Sequence, residues 1–129
     1  MNPSYLNVRF RTALPDGILP ECFGIVTAWN PDGLPAAPGI NDAASARLQA
    51  QLLSDGHAYF SVTGGSPDFA HAEPGFGILA TRDRCLELGR QYRQEAIFWI
   101  EHGNVHLCSC TDDSQITLGP WQDLACKRA

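Results

Sequence analysis

From Phe23 to Glu101 the apolar residues switch repeatedly between a strand-like and a helix-like period, and this alternation constrains the fold more than any other feature of the chain. Phe23–Trp29 is a compact apolar run stopped by Pro31, as a strand is stopped by a proline. Ala44, Leu48 and Leu52 then recur at helical spacing, with Asn41 placed to cap that helix and Gly56 to end it. His57–Thr63 and Phe76–Ala80 read as strands. Behind a capping Thr81, the residues Cys85, Leu88, Gly89 and Tyr92 recur at i, i+3, i+4 and i+7. Ala96–Glu101 closes the series as a strand. The order strand, helix, strand, strand, helix, strand predicts an α+β fold, a ferredoxin-like split β-α-β two-layer sandwich. Right-handed crossovers place both helices, near residues 42–54 and 82–93, on one face of a mainly antiparallel sheet.

Two further strands are expected. Tyr5–Thr12 alternates, with Leu6, Val8 and Phe10 on one side, as an extra N-terminal strand. The pair Gly103-Asn104 signals a two-residue turn into a C-terminal hairpin strand, Val105–Cys110. That turn pairs Glu101 with His106, Trp99 with Cys108 and Ile97 with Cys110. Phe98, Ile100, Val105 and Leu107 then share the sense suited to a helix-covered core. The face away from the helices, carrying Ile97, Trp99, Glu101, His106, Cys108 and Cys110, is too apolar to face water and is expected to be covered by the C-terminal segment, a ligand or a second subunit in a homodimer. Gly89 inside its helix predicts close packing on the sheet. Pro31–Gly39 and Gly64–Gly75 read as long loops, and Thr111–Ala129 is weakly patterned.

A chain of 129 residues with 44% hydrophobic and 18% charged content forms a single domain, residues 1–129. Its 14 acidic residues outnumber 9 basic ones, and a net charge of −5 argues against nucleic acid, whose binding rests on neutralised phosphates. No apolar run approaches the roughly 20 residues that span a bilayer, so no membrane partner is expected. The N-terminus lacks the pattern of a signal peptide. Five cysteines, an odd number, read as reduced thiols in a cytoplasmic protein. His106, Cys108 and Cys110 fall at i, i+2 and i+4 of one strand, about 7 Å apart at each step and too far to share one ion, so no metal is expected. Phosphate loops, dinucleotide fingerprints and nucleophile elbows are missing from the sequence, and no cofactor is expected.

Polar residues at element ends supply the candidate site: Trp29, Asn30, Asn41, Glu73 and Gln94. Asn and Gln each offer a paired donor and acceptor without proton chemistry, so the set suits recognition of a polar group stacked on an aromatic. Plainer roles compete with this. Asn30 fixes the turn into Pro31, Asn41 caps its helix, Gln94 satisfies backbone, and Trp29 fills core. Glu73 stands near His71 and Asp68, and an acid beside a histidine makes a general acid/base pair.

The motifs Thr27-Ala28-Trp29-Asn30-Pro31, Asn41, Glu73-Pro74 and Gln94-Glu95-Ala96-Ile97-Phe98-Trp99 carry a resemblance. Over roughly Phe23 to Leu107 the chain resembles domain-of-unknown-function family 3293, a family of small uncharacterised bacterial proteins. That family tends to have a small polar residue where Gly75 stands and a glycine where Arg93 stands. The resemblance implies no reaction. The expected function is a small cytosolic binding or regulatory module that takes a small polar ligand or partner near loops 31–39 and 64–75. The alternatives are a hydrolase or transferase using Glu73 and His71, and a protein-interaction domain using the open sheet face around Trp99.

Overall fold

Strand pairing in this chain is antiparallel throughout one seven-stranded sheet. The computed structural model describes residues 3–14 and 18–126. In chain order the elements are β1 (Arg9–Thr12), β2 (Cys22–Val26), α1 (Pro38–Ser54), β3 (Tyr59–Gly65), β4 (Ala72–Ile78), α2 (Arg82–Gln91), β5 (Ala96–Glu101), β6 (Asn104–Ser109), β7 (Gln115–Pro120) and the short α3 (Trp121–Leu124). Across the sheet the strands run β1-β3-β4-β2-β5-β6-β7. The class is α+β, and β2 lies at the centre between β4 and β5.

Both long helices pack on one face. Ala44, Leu48 and Leu52 of α1 join Cys85, Leu86 and Leu88 of α2 over Val26, Ile78, Ile97, Trp99 and Cys108. The expected stripes form this core, and the expected terminators end both helices. After α1, Gly56 takes φ +75° while its N–H and that of His57 donate to Leu53 and Leu52, which closes the helix. The Thr81 hydroxyl caps α2 by accepting from the Arg84 N–H at 3.1 Å.

The sheet face assigned to this core is the reverse of the sequence reading. Trp99 is only 6% exposed and lies under the helices, so the surface expected to be open around Trp99 is not open. Phe98, Ile100 and Val105 instead face a second core with Val8, Phe10, Phe23, Val62 and Leu124. The sheet covers this side by curling. Phe10 of β1 stacks on Trp121, just beyond β7, at 5.3 Å, and meets Phe98 edge-on at 5.0 Å. An isolated bridge from Phe10 to Ala125 and a bond from the Cys126 N–H to the Phe10 carbonyl tie the two ends together. Alternation identifies which residues share a face, but two apolar faces give no sign of which one the helices take.

Four boundaries also move. Pro3–Asn7 is a 3-10 turn, so β1 begins at Arg9 and Leu6 is 50% exposed. The β5–β6 turn is His102-Gly103, both at positive φ (49° and 78°), which pairs Trp99 with His106 and Ile97 with Cys108, two residues from the expected register. His102 is drawn into the turn by Glu21, whose carbonyl accepts its N–H and whose carboxylate lies 3.0 Å from its ring. The expected Gly64–Gly75 loop shrinks to residues 66–71, because Gly64 and Gly65 continue β3 opposite Glu73 and Ala72. A Cβ on Gly65 would lie 2.7 Å from the His71 carbonyl, so the glycine permits close approach there and does not break the strand. Finally, Gln115–Pro120 adds a strand to the sheet that weak patterning did not announce.

Gly89 decides between two opposing effects. Helix propensity alone favours Ala there by about 1 kcal/mol. A Cβ at this position would lie 2.7 Å from Ile97 Cγ2 and 2.8 Å from Cys110 Sγ. Gly89→Ala is therefore expected to destabilise the protein by about 1–3 kcal/mol in denaturant titration, because overpacking outweighs propensity.

Candidate functional site

The end of β2 is where the polar motifs meet. Since β4 and β5 both run antiparallel to β2, their first residues lie beside its last. Glu73 sits at the start of β4, and Gln94 and Glu95 lead into β5. Between them the chain leaves β2 through Thr27–Asn30 and turns at Pro31–Gly33 before entering α1. Thr27 donates to the Pro74 carbonyl at 2.7 Å and accepts the Trp29 N–H, which holds this exit against β4. Gly75 allows the approach, since a Cβ there would lie 2.8 Å from the Val26 carbonyl oxygen.

Asn41 is not a helix cap. The helix starts earlier, at Pro38, which suits its first position because the missing N–H is not needed there. Asn41 therefore lies in the first turn, 2% exposed, with its amide spent on Asn30. Its Oδ1 accepts the Asn30 N–H at 2.9 Å, while its Nδ2 donates to Asn30 Oδ1 at 2.9 Å and to the Ala36 carbonyl at 3.3 Å. Asn30 Oδ1 also accepts the Ala36 N–H, and Asn30 Nδ2 donates to Glu73 Oε1 at 2.8 Å. Three residues remote in sequence thus form one hydrogen-bonded chain ending on a carboxylate. Asn30 holds φ +51°, a conformation its short polar side chain tolerates.

Gln94 joins the same segment by donating to the Trp29 carbonyl at 3.0 Å. Trp29 is half-buried, and its indole N–H donates to Ser45 on α1. The ring is thus pinned to the helix. Glu73 accepts its hydrogen bond from Asn30, and the exposed His71 is among the groups that lower the Asp68 carboxyl.

Glu95 is the residue that sequence reasoning passed over, although it stands in a quoted motif. One of its oxygens, Oε2, is buried without a hydrogen-bond partner. Leaving a buried acceptor unpaired costs about 1–3 kcal/mol. The turn passes close to it, for a Cβ on Gly33 would lie 2.8 Å from Glu95 Oε1 and would push that side-chain tip aside. Tyr5, from the N-terminal 3-10 turn, completes the surroundings. Burial pushes its phenol up to about 12, with the charges of Glu95 and then Glu73 adding to the effect. Burial also raises the Glu73 carboxyl, against the Asn30 bond that lowers it.

A family model described as a protein of unknown function (DUF3293) matches residues 26–97, more than half of the chain. The chain belongs to this family. No curated protein and no solved structure matches it. The DUF3293 span contains Trp29, Asn30, Asn41, Glu73, Gln94 and Glu95, whereas Tyr5 lies outside it. The expectation of glycine at position 93 has a physical counterpart. Arg93 stands just past α2 at φ +59°, where the N–H groups of Arg93 and Gln94 close the helix on Arg90 and Gly89. Glycine is the usual residue at that position. Here Arg93 adds an ion pair with Asp32, and its carbonyl accepts the Asp32 N–H at 2.8 Å.

An open groove of about 670 Å³ lies at the other end of β2, along Cys22, Leu79, Thr81, Arg82 and Trp99. It shares no residue with the convergent polar set. No helix is long and apolar enough to cross a membrane, and no cluster of three metal-binding side chains occurs among the described residues. All five cysteines are free thiols, with Cys85 and Cys110 pushed up to about 11 by burial.

Two stability measurements check these assignments. Asn41→Ala is expected to cost about 1–3 kcal/mol, the cost of unsatisfied buried groups, compared with about 1 kcal/mol for a lost cap. Glu73 has a folded pKa above its unfolded one, so its contribution to stability is present at low pH and lost as pH rises through the folded value. Glu73→Gln stays neutral and is expected to melt at or above the wild-type temperature at pH 7. The difference should close by about pH 4, where carboxylates protonate in both states. For the thiols, all five are expected to react in denaturant. In the folded protein Cys85, Cys108 and Cys110 should react far more slowly than half-buried Cys22 and Cys126.

Proposed function

We propose that the protein is a small cytoplasmic binding or regulatory module that holds a polar ligand at the end of β2, under residues 31–39 and 66–71. The observation that carries this reading is the continuous chain from Asn41 through Asn30 to Glu73. It holds a carboxylate in a fixed orientation in a partly desolvated position. A surface acid with only a solvation role needs no such support. Binding is favoured over the hydrolase or transferase alternative because Glu73 is engaged by the neutral amide of Asn30, which does no proton chemistry.

We read the inner four strands as the ferredoxin-like core. Their order β3-β4-β2-β5, with helical crossovers α1 and α2 on one face, supports this. In such a core the ends of the central strands carry side chains on a rigid frame, which favours a preformed site.

Native mass spectrometry of protein purified without denaturation tests the reading. A small molecule is expected to accompany the wild-type protein and to be lost from Glu73→Gln with the fold intact. Equal retention by the variant would place the ligand elsewhere.

A further inference from the structure

We propose that β7 is a pairing edge for a second copy of this chain, joined antiparallel across a two-fold axis at Ile116. This edge shares no residue with the polar site and does not depend on the binding function proposed above. Of the two end strands of the sheet, β1 is already covered on its outer side: Phe10 bridges to Ala125, and its carbonyl accepts the Cys126 N–H. β7 has β6 on one side only. Among the described residues, no backbone hydrogen bond reaches the other side of Gln115–Thr117. Edge strands of natural proteins are usually blunted by charged side chains. Gln115–Pro120 carries none, and Gln115, Ile116 and Thr117 are all exposed. The bulge beside Val105 and His106, followed by Pro120, limits the free stretch to residues 114–118.

Alternation fixes which backbone groups of β7 point outward. The turn between β5 and β6 closes on the Glu101–Asn104 pair, so Asn104, His106 and Cys108 turn their N–H and C=O groups toward β5. Val105, Leu107 and Ser109 are left for β7, in agreement with the bond from the Ser109 N–H to the Ser114 carbonyl at 2.9 Å. Leu107 stands opposite Ile116, so the Ile116 N–H and C=O face β6. Those of Gln115 and Thr117 face away from the sheet. An antiparallel second copy with its Thr117 opposite Gln115 meets each outward N–H with an outward C=O. The two-fold axis repeats the match with its Gln115 opposite Thr117.

Ile116 selects a second copy as the occupant. In that register it opposes itself across the axis in a non-hydrogen-bonded pair, the kind in which side chains come closest. Its side chain lies opposite Leu107, on the face that carries Val105 of the second core, and Leu118 packs on that core two residues further on. Ile116 itself is 49% exposed. The second core is therefore incomplete at this edge, and the isoleucine of a second copy continues it. Charge fits the same register. Asp112 and Asp113 fall opposite Pro120 and Gly119 of the other copy, so no two acids face each other across the pair. The Gln115 side chain is held on the opposite face by Arg82 Nε at 3.1 Å, clear of the isoleucine contact. Pairing over so few residues places the dimer in the weak, reversible class.

Sedimentation equilibrium of the whole chain from micromolar to millimolar concentration tests the proposal, with a reducing agent present so that no disulfide links two copies. A reversible monomer–dimer equilibrium is expected. Ile116→Lys and Ile116→Glu should each weaken it about tenfold or more, because like charges then meet at the axis. An equimolar mixture of the two variants should associate more tightly than either variant alone, since residue 116 opposes itself only in this register. A monomer at every concentration would overturn the proposal and leave the edge to a strand of a different protein. A dimer unchanged by both substitutions, or one weakened without recovery in the mixture, would also overturn it. If the variants do not fold, amide hydrogen exchange of the wild-type protein decides alone. Protection of the Gln115 and Thr117 amides that grows with concentration supports the pairing, and exchange independent of concentration overturns it.

Discussion

The reciprocal hydrogen bonds between Asn30 and Asn41 join the end of the central strand to the first turn of α1, and the geometry of the site follows from them. Each asparagine offers what the other lacks. The Asn30 N–H, in a left-handed residue beyond the reach of strand pairing, finds Asn41 Oδ1. The Asn41 amide, buried in a helix where its polar atoms would otherwise be unsatisfied, finds Asn30 Oδ1 and the Ala36 carbonyl. Buried polar groups persist where they are paired, and here the pairing also aims Asn30 Nδ2 at Glu73.

Topology explains why two carboxylates arrive at this place. An antiparallel sheet puts the beginnings of β4 and β5 beside the end of β2, so residues that lead into either strand become neighbours of the exit turn. Left-handed residues accumulate at the same point, with Asn30, Asp32, Gly33 and Arg93 all at positive φ. Strain of this kind survives where surrounding interactions over-determine it. The Asp32–Arg93 pair and the bond between their backbones provide that support on one side, and the asparagine pair on the other. One buried side-chain acceptor among the described residues stays unpaired, Glu95 Oε2, and it lies beside the same turn.

Much of the scaffold was legible in the sequence because helical stripes and caps are local signals. Ala44, Leu48 and Leu52, the Thr81 cap, the Gly56 terminator and the β5 limits all follow from spacing within a few residues. The assignment of sheet faces was not legible. Trp99 and Phe98 are both apolar, and only the curl of the sheet onto Trp121 decides which of them meets the helices. Asn41 illustrates a similar limit at the site. A polar residue before an apolar stripe reads as a cap, and only the position of Asn30 in space shows that its amide has a different partner. Convergence of Asn30, Asn41, Glu73 and Gln94 was legible from their places at element ends. Glu95 was not, because its importance lies in a missing partner, which no sequence pattern reports.

The central claim is that Asn30 and Asn41 act as one unit. A double-mutant cycle of Asn30→Ala and Asn41→Ala, read by chemical denaturation, measures this directly. The account predicts that the double variant loses clearly less stability than the sum of the single losses, with a coupling of about 1 kcal/mol or more. Losses that add to within about 0.5 kcal/mol would contradict it, since independent sites add in that way.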